Sequence, residues 1–346
     1  MSVEAQDNQK IGVILGNVGS PEAPDTESVR VYLKQFLMDP FIIDLPWPLR
    51  AFLVYGIILP RRPAKSAEAY QKIWTDKGSP LIVYTEELVQ GVQEKLGEGY
   101  AVKMAMGVGN PSIPDVMHEL AGQGIQRIIL APLFPQYANA TTGGVTHVAR
   151  KIQKQIPGLQ VDIWSAFYKE PDYVRLWTDL IKKHLADYKA DALLMSYHGL
   201  PQKQVIKANP GCADCVGTDT CHRKYEDSNC YRAQCYATTE LIKAEGGFQL
   251  PIHSSFQSRL GRAAWAKPYT DEVLPKLYED GVRHLAIACP AFVTDCLETL
   301  EEVEMGLGGD WLAQEGTTFK MIPSLNAEEA WASLISRWVQ DEALQA

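Results

Sequence analysis

The sequence is short of positive charge. Its 33 Lys and Arg stand against 42 Asp and Glu, a formal net charge of −9 over 346 residues. Nucleic-acid binding draws on a basic face, so the overall charge gives no reason to expect that partner. Long hydrophobic runs are also missing. The most apolar stretch, Phe36 to Pro60, is interrupted by Asp39, Pro40, Asp44, Pro46, Pro48 and Arg50. Its longest charge-free piece, Ala51 to Pro60, is half the roughly 20 residues that a bilayer crossing takes. It is expected as a buried helix plus turn, or as a greasy lip that receives an apolar ligand or rests on a membrane surface. The opening MSVEAQDNQK lacks the apolar region of a secretory signal, so a cytoplasmic location is expected. Nucleotide signatures are absent from the strand-end loops: Gly16, Gly19, Gly143 and Gly144 match neither GxGxxG nor GxxxxGK[ST], and tight turns account for them.

What is present is ordinary for a globular chain, with 46% hydrophobic and 22% charged residues. The length suits about two domains. Short Val, Ile and Leu runs alternate with helical patterns: IGVIL at Ile11, AVKMAMGV at Ala101, RIILAPL at Arg127 and LQVDIW at Leu159, with a helix predicted over Thr26 to Leu37. After a helix predicted from Asp172 to Tyr188 the rhythm returns with ALLMSYHG at Ala192, FQLPIHSS at Phe248, HLAIACP at His284 and FKMIP at Phe319. Near-continuous apolar strands joined by helices predict α/β architecture: two doubly wound, Rossmann-like halves, each with a roughly four-stranded parallel sheet flanked by helices. The boundary is expected near 170, giving halves 1–170 and 171–346 with no clear sequence repeat between them. A closing helix, Ala327 to Leu344, is expected to pack across either half.

Ligands bind beyond the carboxyl ends of strands in such sheets, so the residues after each run matter most. His198 ends an apolar strand and is followed by Gly-Leu-Pro; an imidazole at that edge is suited to accept a proton at neutral pH. Asp295, Glu298, Glu301, Glu302 and Glu304 follow CPAFVT, and on an α-helix Glu298 and Glu302 share one face. Such a row suits a helix start, a transient divalent cation or proton transfer, and spacing alone does not choose among these. Five of the seven cysteines crowd into Cys212 to Cys235 as C-x2-C-x5-C-x8-C-x4-C. In a reducing compartment that clustering points to bound metal, with zinc and an iron-sulfur cluster equally served by four thiolates and His222 as a further donor.

Several long motifs in order resemble the ferrochelatase family: RRPAKSAEAYQKIW at Arg61, GSPL at Gly78, FPQYANATTGG at Phe134, SYHGLP at Ser196, FQSRLGRAAWAKPYTDE at Phe256 and CPAFVTDCLETLEE at Cys289. The resemblance covers nearly the whole chain. It implies a class II chelatase-like fold and insertion of ferrous iron into protoporphyrin IX to make protoheme. By that resemblance His198 matches the active-site histidine, as proton acceptor, and Glu298 the catalytic glutamate, both facing the Fe2+ substrate, with Glu302 beginning an acidic track. Phe256 takes the place of an aromatic that lies against the macrocycle. Arg61, Arg62, Lys65, Tyr70 and Ser79 fall in the stretch lining the pocket mouth, and Tyr137 in the FPQYANATTGG loop is a further substrate contact. The segment 36–60 becomes the lip that admits porphyrin from a membrane.

Two stretches depart from the family. The usual MRYG is here Met106, Gly107, Val108, Gly109, and a cysteine-rich insertion, about 209–235, replaces a GDPY-type stretch. Some ferrochelatases hold a two-iron, two-sulfide cluster, and a few bacterial ones carry its ligands internally. On that basis the expected ligands are Cys212, Cys215, Cys221 and Cys230, with Cys235 as the spare or alternative. The competing readings are a chelatase for another tetrapyrrole such as coproporphyrin III, and a non-catalytic iron-sulfur or tetrapyrrole-binding sensor.

Overall fold

In the computed structural model, residues 10–342 are described except 225, 260 and 262. The first nine residues, Leu260 and Arg262 of the FQSRLGRAAW motif, and the last residues of the expected closing helix lie outside the described residues. The first half begins with strand β1 (Ile11–Asn17), helices α1 (Thr26–Met38) and α2 (Trp47–Ala51), a π-helical segment (Phe52–Ile58), α3 (Arg62–Ile73) and α4 (Pro80–Leu96). It continues with β2 (Tyr100–Met106), α5 (Ile113–Gly122), β3 (Arg127–Pro132), α6 (Gly144–Gln153) and β4 (Gln160–Ile163). The sheet runs β2-β1-β3-β4, all parallel. Helix α1 starts where the sequence signals it: Asp25 caps it, its carboxylate accepting the Glu27 and Ser28 amides at 2.9 and 3.0 Å.

Helix α7 (Pro171–Leu185) leads into the second half: β5 (Ala192–His198), α8 (Gln202–Ala208), α9 (Tyr231–Gly246), β6 (Ile252–Gln257), α10 (Thr270–Glu279) and β7 (His284–Ala288). A second π-helix (Glu298–Leu307), α11 (Gly308–Leu312), β8 (Thr318–Ile322) and α12 (Glu329–Gln340) complete it. Its sheet, β6-β5-β7-β8, is also parallel and repeats the strand order of the first. The repeat is one of topology, which sequence comparison of the halves does not reveal.

Three expectations are adjusted. The strand expected from Phe248 begins only at Ile252 and runs on through Gln257, because Pro251 has no N–H to give a ladder. The acidic stretch folds as a π-helix in place of the α-helix used to align its side chains, a geometry often found at functional sites. The closing helix touches both sides: Glu329 pairs with Lys95 of α4 at 3.3 Å, and Arg337 with Asp172 of α7 at 3.0 Å. No helix among the described residues is long and apolar enough to cross a membrane.

One buried apolar cluster runs continuously between the sheets, from Val13 and Leu15 of β1 to Leu193 and Met195 of β5. At its centre the fully buried Trp331 stacks edge-on with Trp338 at 5.9 Å and lies 6.0 Å from Phe167. Truncation here leaves a large void, so Trp331→Ala is expected to lower stability by about 3–5 kcal/mol, measured by urea unfolding of the full chain.

Candidate active site

In each sheet the order reverses between the first and third strands of its half, and sheets of this kind form their binding crevice beyond the carboxyl ends of such strands. In the second sheet those strands are β5, which ends at His198, and β7, whose exit loop leads to Glu298. Gln257, paired with His198 across β5 and β6, connects them. Its buried Oε1 accepts from Ser196 Oγ at 2.6 Å and from the Cys289 thiol at 3.7 Å, while Nε2 donates to the Glu298 carbonyl at 2.9 Å. Three strand ends and the start of the π-helix are thus joined through one amide.

The next residue, Ser258, holds a left-handed backbone (φ 66°), unusual for a residue with a Cβ, and its hydroxyl donates to the Glu302 carboxylate. Burial, together with the Glu298 charge, pushes the Glu302 carboxyl above its ordinary range; the Ser258 hydroxyl and His198 pull it back. Glu302 therefore lies within electrostatic reach of both Glu298 and His198. Glu301 turns away and pairs with Lys72 of α3 at 2.7 Å. The His198 ring lies 6.3 Å from Phe292, and its Nδ1 is 2.6 Å from the Gly199 carbonyl oxygen.

Behind Glu298 stand two buried phenols from the first half. Burial pushes Tyr32 and Tyr70 far above the ordinary tyrosine range, and the Glu298 charge adds to it, so both remain neutral. Their rings meet edge-on at 6.5 Å, and Tyr32 donates to the Gly19 carbonyl at 3.2 Å. Gly19 is itself required: at φ +109 a Cβ would sit 1.8 Å from the Val108 oxygen. The β7 exit loop is fixed by buried Asp295, which accepts from Asn326 Nδ2 at 2.7 Å, Thr299 Oγ1 at 2.9 Å and the Ser324 amide at 3.2 Å. Asn17 Nδ2 donates to the Thr85 hydroxyl within its own half at 3.2 Å and, across the halves, to that of Thr294 at 3.5 Å.

The remaining candidates separate. Ser79 is buried and accepts from Ser20 at 2.7 Å, while Arg61 and Arg62 are exposed at the start of α3, with Arg61 donating to the Ile57 carbonyl at 3.3 Å. Tyr137 donates its hydroxyl to Asn139 at 2.9 Å, and its amide meets Gln234 of α9 at 2.6 Å. Phe256 does not reach the crevice. It is 1% exposed and packs between Tyr197 and Tyr236, because alternation along β6 sends it towards α9 and Gln257 to the opposite face. Gln257, Ser258 and Tyr32 are the members of the site that sequence reasoning missed; reading the alternation through FQS would have found the first.

In the stretch from Cys212 to Cys235 all five cysteines are buried. The sulfurs of Cys212 and Cys230 lie against one another, with Cα atoms 6.8 Å apart. Cys215, Cys221 and Cys235 are free thiols. Burial pushes Cys215 up and the neighbouring Cys221 adds to it. Donor atoms of Asp214, Cys215 and His222 also lie within 4.8 Å of one another.

Segment 36–60 exposes apolar side chains, with Trp47, Leu49 and Phe52 more than half exposed and Leu45, Tyr55 and Ile57 also exposed. Val54 and Leu59 anchor it from beneath.

The raised Glu302 carboxyl has a stability consequence. The native state binds this proton more tightly than the unfolded chain, so the contribution is full below the ordinary glutamate range and is lost as pH rises through the elevated native value. Glu302→Gln is therefore expected to flatten this part of the pH dependence and to leave the fold more stable at neutral pH, as read by urea unfolding across pH; an unchanged profile contradicts it.

Solved structures of similar fold include SirB from Bacillus subtilis with Fe3+ (TM-score 0.56, 12% identity, 96% of this chain and 95% of the other). A second is the sirohydrochlorin chelatase SirB from Bacillus subtilis subspecies spizizenii in complex with cobalt (0.54, 9%, 97% and 99%). At those identities the likeness concerns the fold. Sequence relatives are closer. The ferrochelatase of Coxiella burnetii (strain RSA 493 / Nine Mile phase I) is 40% identical over 334 residues, covering 96% of this chain and 94% of the relative. That of Stutzerimonas stutzeri (strain A1501) is 42% identical over 328 residues, covering 93% and 95%. The ferrochelatase family profile matches residues 10–343, and with this agreement over almost its full length the chain belongs to the ferrochelatase family.

Proposed function

We propose that this member of the family, a metal-inserting lyase, puts ferrous iron into protoporphyrin IX, with His198 and Glu298 as its catalytic residues. The observation that carries the residue roles is the convergence of His198, Glu298 and Glu302 around Gln257 and Ser258. Metallation removes the pyrrole protons from the macrocycle while the metal sheds water. The imidazole at the strand end accepts those protons, and Glu298 assists transfer of protons or metal. Glu302, held by Ser258, extends the route along the π-helix. The neutral Tyr32 and Tyr70 close the inner side against water, and closure strengthens every charge inside.

The pocket mouth is assigned to Arg61 and Arg62 and the substrate contacts further in to Tyr70, Ser79 and Tyr137, with Phe256 supporting from beneath without touching the macrocycle. The lip favours an apolar ligand with few carboxylates, which ranks protoporphyrin ahead of coproporphyrin III, and its Trp47 and Phe52 are suited to rest on a membrane surface.

The cysteine-rich insertion is assigned a two-iron, two-sulfide cluster, with Cys212 and Cys230 as one thiolate pair and Cys215 and Cys221 as the other. The residues offer suitable donors: all four sulfurs are buried, those of Cys212 and Cys230 adjoin, Cys221 is near enough to act on the Cys215 thiol, and in the same stretch of chain the buried Arg232 Nη1 has no partner among the described residues. The sulfur pairing of Cys212 with Cys230 and metal binding are alternative states of the same two residues. The cluster, when bound, supplies a covalent cross-link and a one-electron centre; iron insertion has no net redox change, so its role is structural or sensory.

His198→Ala and Glu298→Gln are each expected to lower turnover by about 10²–10⁴-fold while leaving unfolding unchanged, followed anaerobically by porphyrin absorption with ferrous iron. Near-normal turnover in either variant removes the assignment. Replacing Trp47 and Phe52 together with Ala should weaken binding to phospholipid vesicles by more than about tenfold, given roughly 1.5–3 kcal/mol for each large apolar side chain fully buried, and equal sedimentation with vesicles excludes the lip as a contact.

A further inference from the structure

Arg232 is 1% exposed, at the start of α9, two residues after Cys230 and three before Cys235. A guanidinium so deeply buried must place its N–H groups or bear a large desolvation cost. Two nitrogens are accounted for. Nε donates to the Lys267 carbonyl at 2.8 Å; Nη2 donates to the Thr218 carbonyl at 2.6 Å and lies 3.5 Å from the Tyr236 hydroxyl. The plane also lies over the Tyr236 ring at 4.8 Å. Nη1 has no partner among the described residues. No carboxylate is bonded to this cation among those residues, and the Thr218 carbonyl that holds Nη2 lies in the loop between Cys215 and Cys221.

We propose that Arg232 is a built-in partner of the iron-sulfur group: its charge balances the anionic cluster, and Nη1 donates to a cluster or cysteine sulfur. The inference rests on the cluster reading given above and adds a residue outside the ligand set. Arginine suits the place because its charge persists when buried and its rigid fork lets two nitrogens hold the frame while the third points at a ligand. Two ferric ions, two sulfides and four thiolates carry net negative charge, and one-electron reduction deepens it. A nearby cation and an N–H···S bond favour the reduced state and raise the reduction potential.

The test uses the intact protein, purified anaerobically and titrated with dithionite as reductant. Arg232→Lys keeps the charge but loses the fork. It is expected to retain iron and sulfide while shifting the reduced-to-oxidised ratio at a fixed potential about tenfold towards oxidised, some 59 mV for one electron. An unchanged potential in a fully loaded variant overturns the proposal. Should that variant fail to fold, the wild-type chain decides. With 15N-arginine labelling, pulsed electron paramagnetic resonance of the reduced cluster should show a nitrogen coupling, which Arg223→Lys retains because Arg223 is committed to Asp214 and Glu226. A cluster signal without that coupling overturns the role of Arg232 alone. Protein holding zinc, or no iron and sulfide, overturns the cluster reading and this inference together.

Discussion

The site depends on the side-chain amide of Gln257. A buried primary amide must use both ends, and here the ends face different elements: the oxygen gathers the tips of β5 and β7, and the nitrogen takes the Glu298 carbonyl. A π-helix begins there, and its Glu302 lies within electrostatic reach of His198. Without this bridge, a base on one loop and acids on another would have no common reference. The short chain of Ser196, Gln257 and Glu298 sets that reference within a core that leaves little slack.

Around the bridge, the protein keeps carboxylates where their charge is costly. Glu302 is held against burial and a like-charged neighbour by one serine hydroxyl and one imidazole, and Ser258 adopts an unfavourable backbone conformation to supply its share. The two tyrosines behind Glu298 stay neutral for the same reason: burial penalises their ionisation more strongly than anything nearby rewards it. The site therefore carries electrostatic strain that the apolar cluster around Trp331 offsets elsewhere. Asp295, by contrast, is a buried carboxylate with its partners in place, and it gives the β7 exit loop rigidity.

Strands and helices were legible wherever a period was uninterrupted. The β5 run ending at His198 and the Asp25 cap of α1 needed only local chemistry. Reading failed where two local signals overlapped. Pro251 sits inside an apolar run that looked like one strand, and the missing N–H moved the strand downstream, so that Phe256, Gln257 and Ser258 take different directions. The acids from Glu298 onward look like the first turns of an α-helix; the π-helix sends Glu301 to Lys72 of another element, a pairing 229 residues apart in the chain. Tyr32 carried no local mark at all, since its meaning comes from the distant helix and loop that bury it.

The sequence by itself determined the repeating strand-helix order, the apolar lip, the crowding of cysteines and the motifs that carry the family, because each is a matter of periodicity, composition or contiguous residues. Only the tertiary structure decided that both sheets share one strand order, that Phe256 faces inward while Gln257 reaches the acids, and that Arg232 lies buried with a nitrogen unpartnered. Those outcomes depend on which side chains from remote segments exclude water together. Such exclusion is a property of the packed chain that no stretch of residues holds alone.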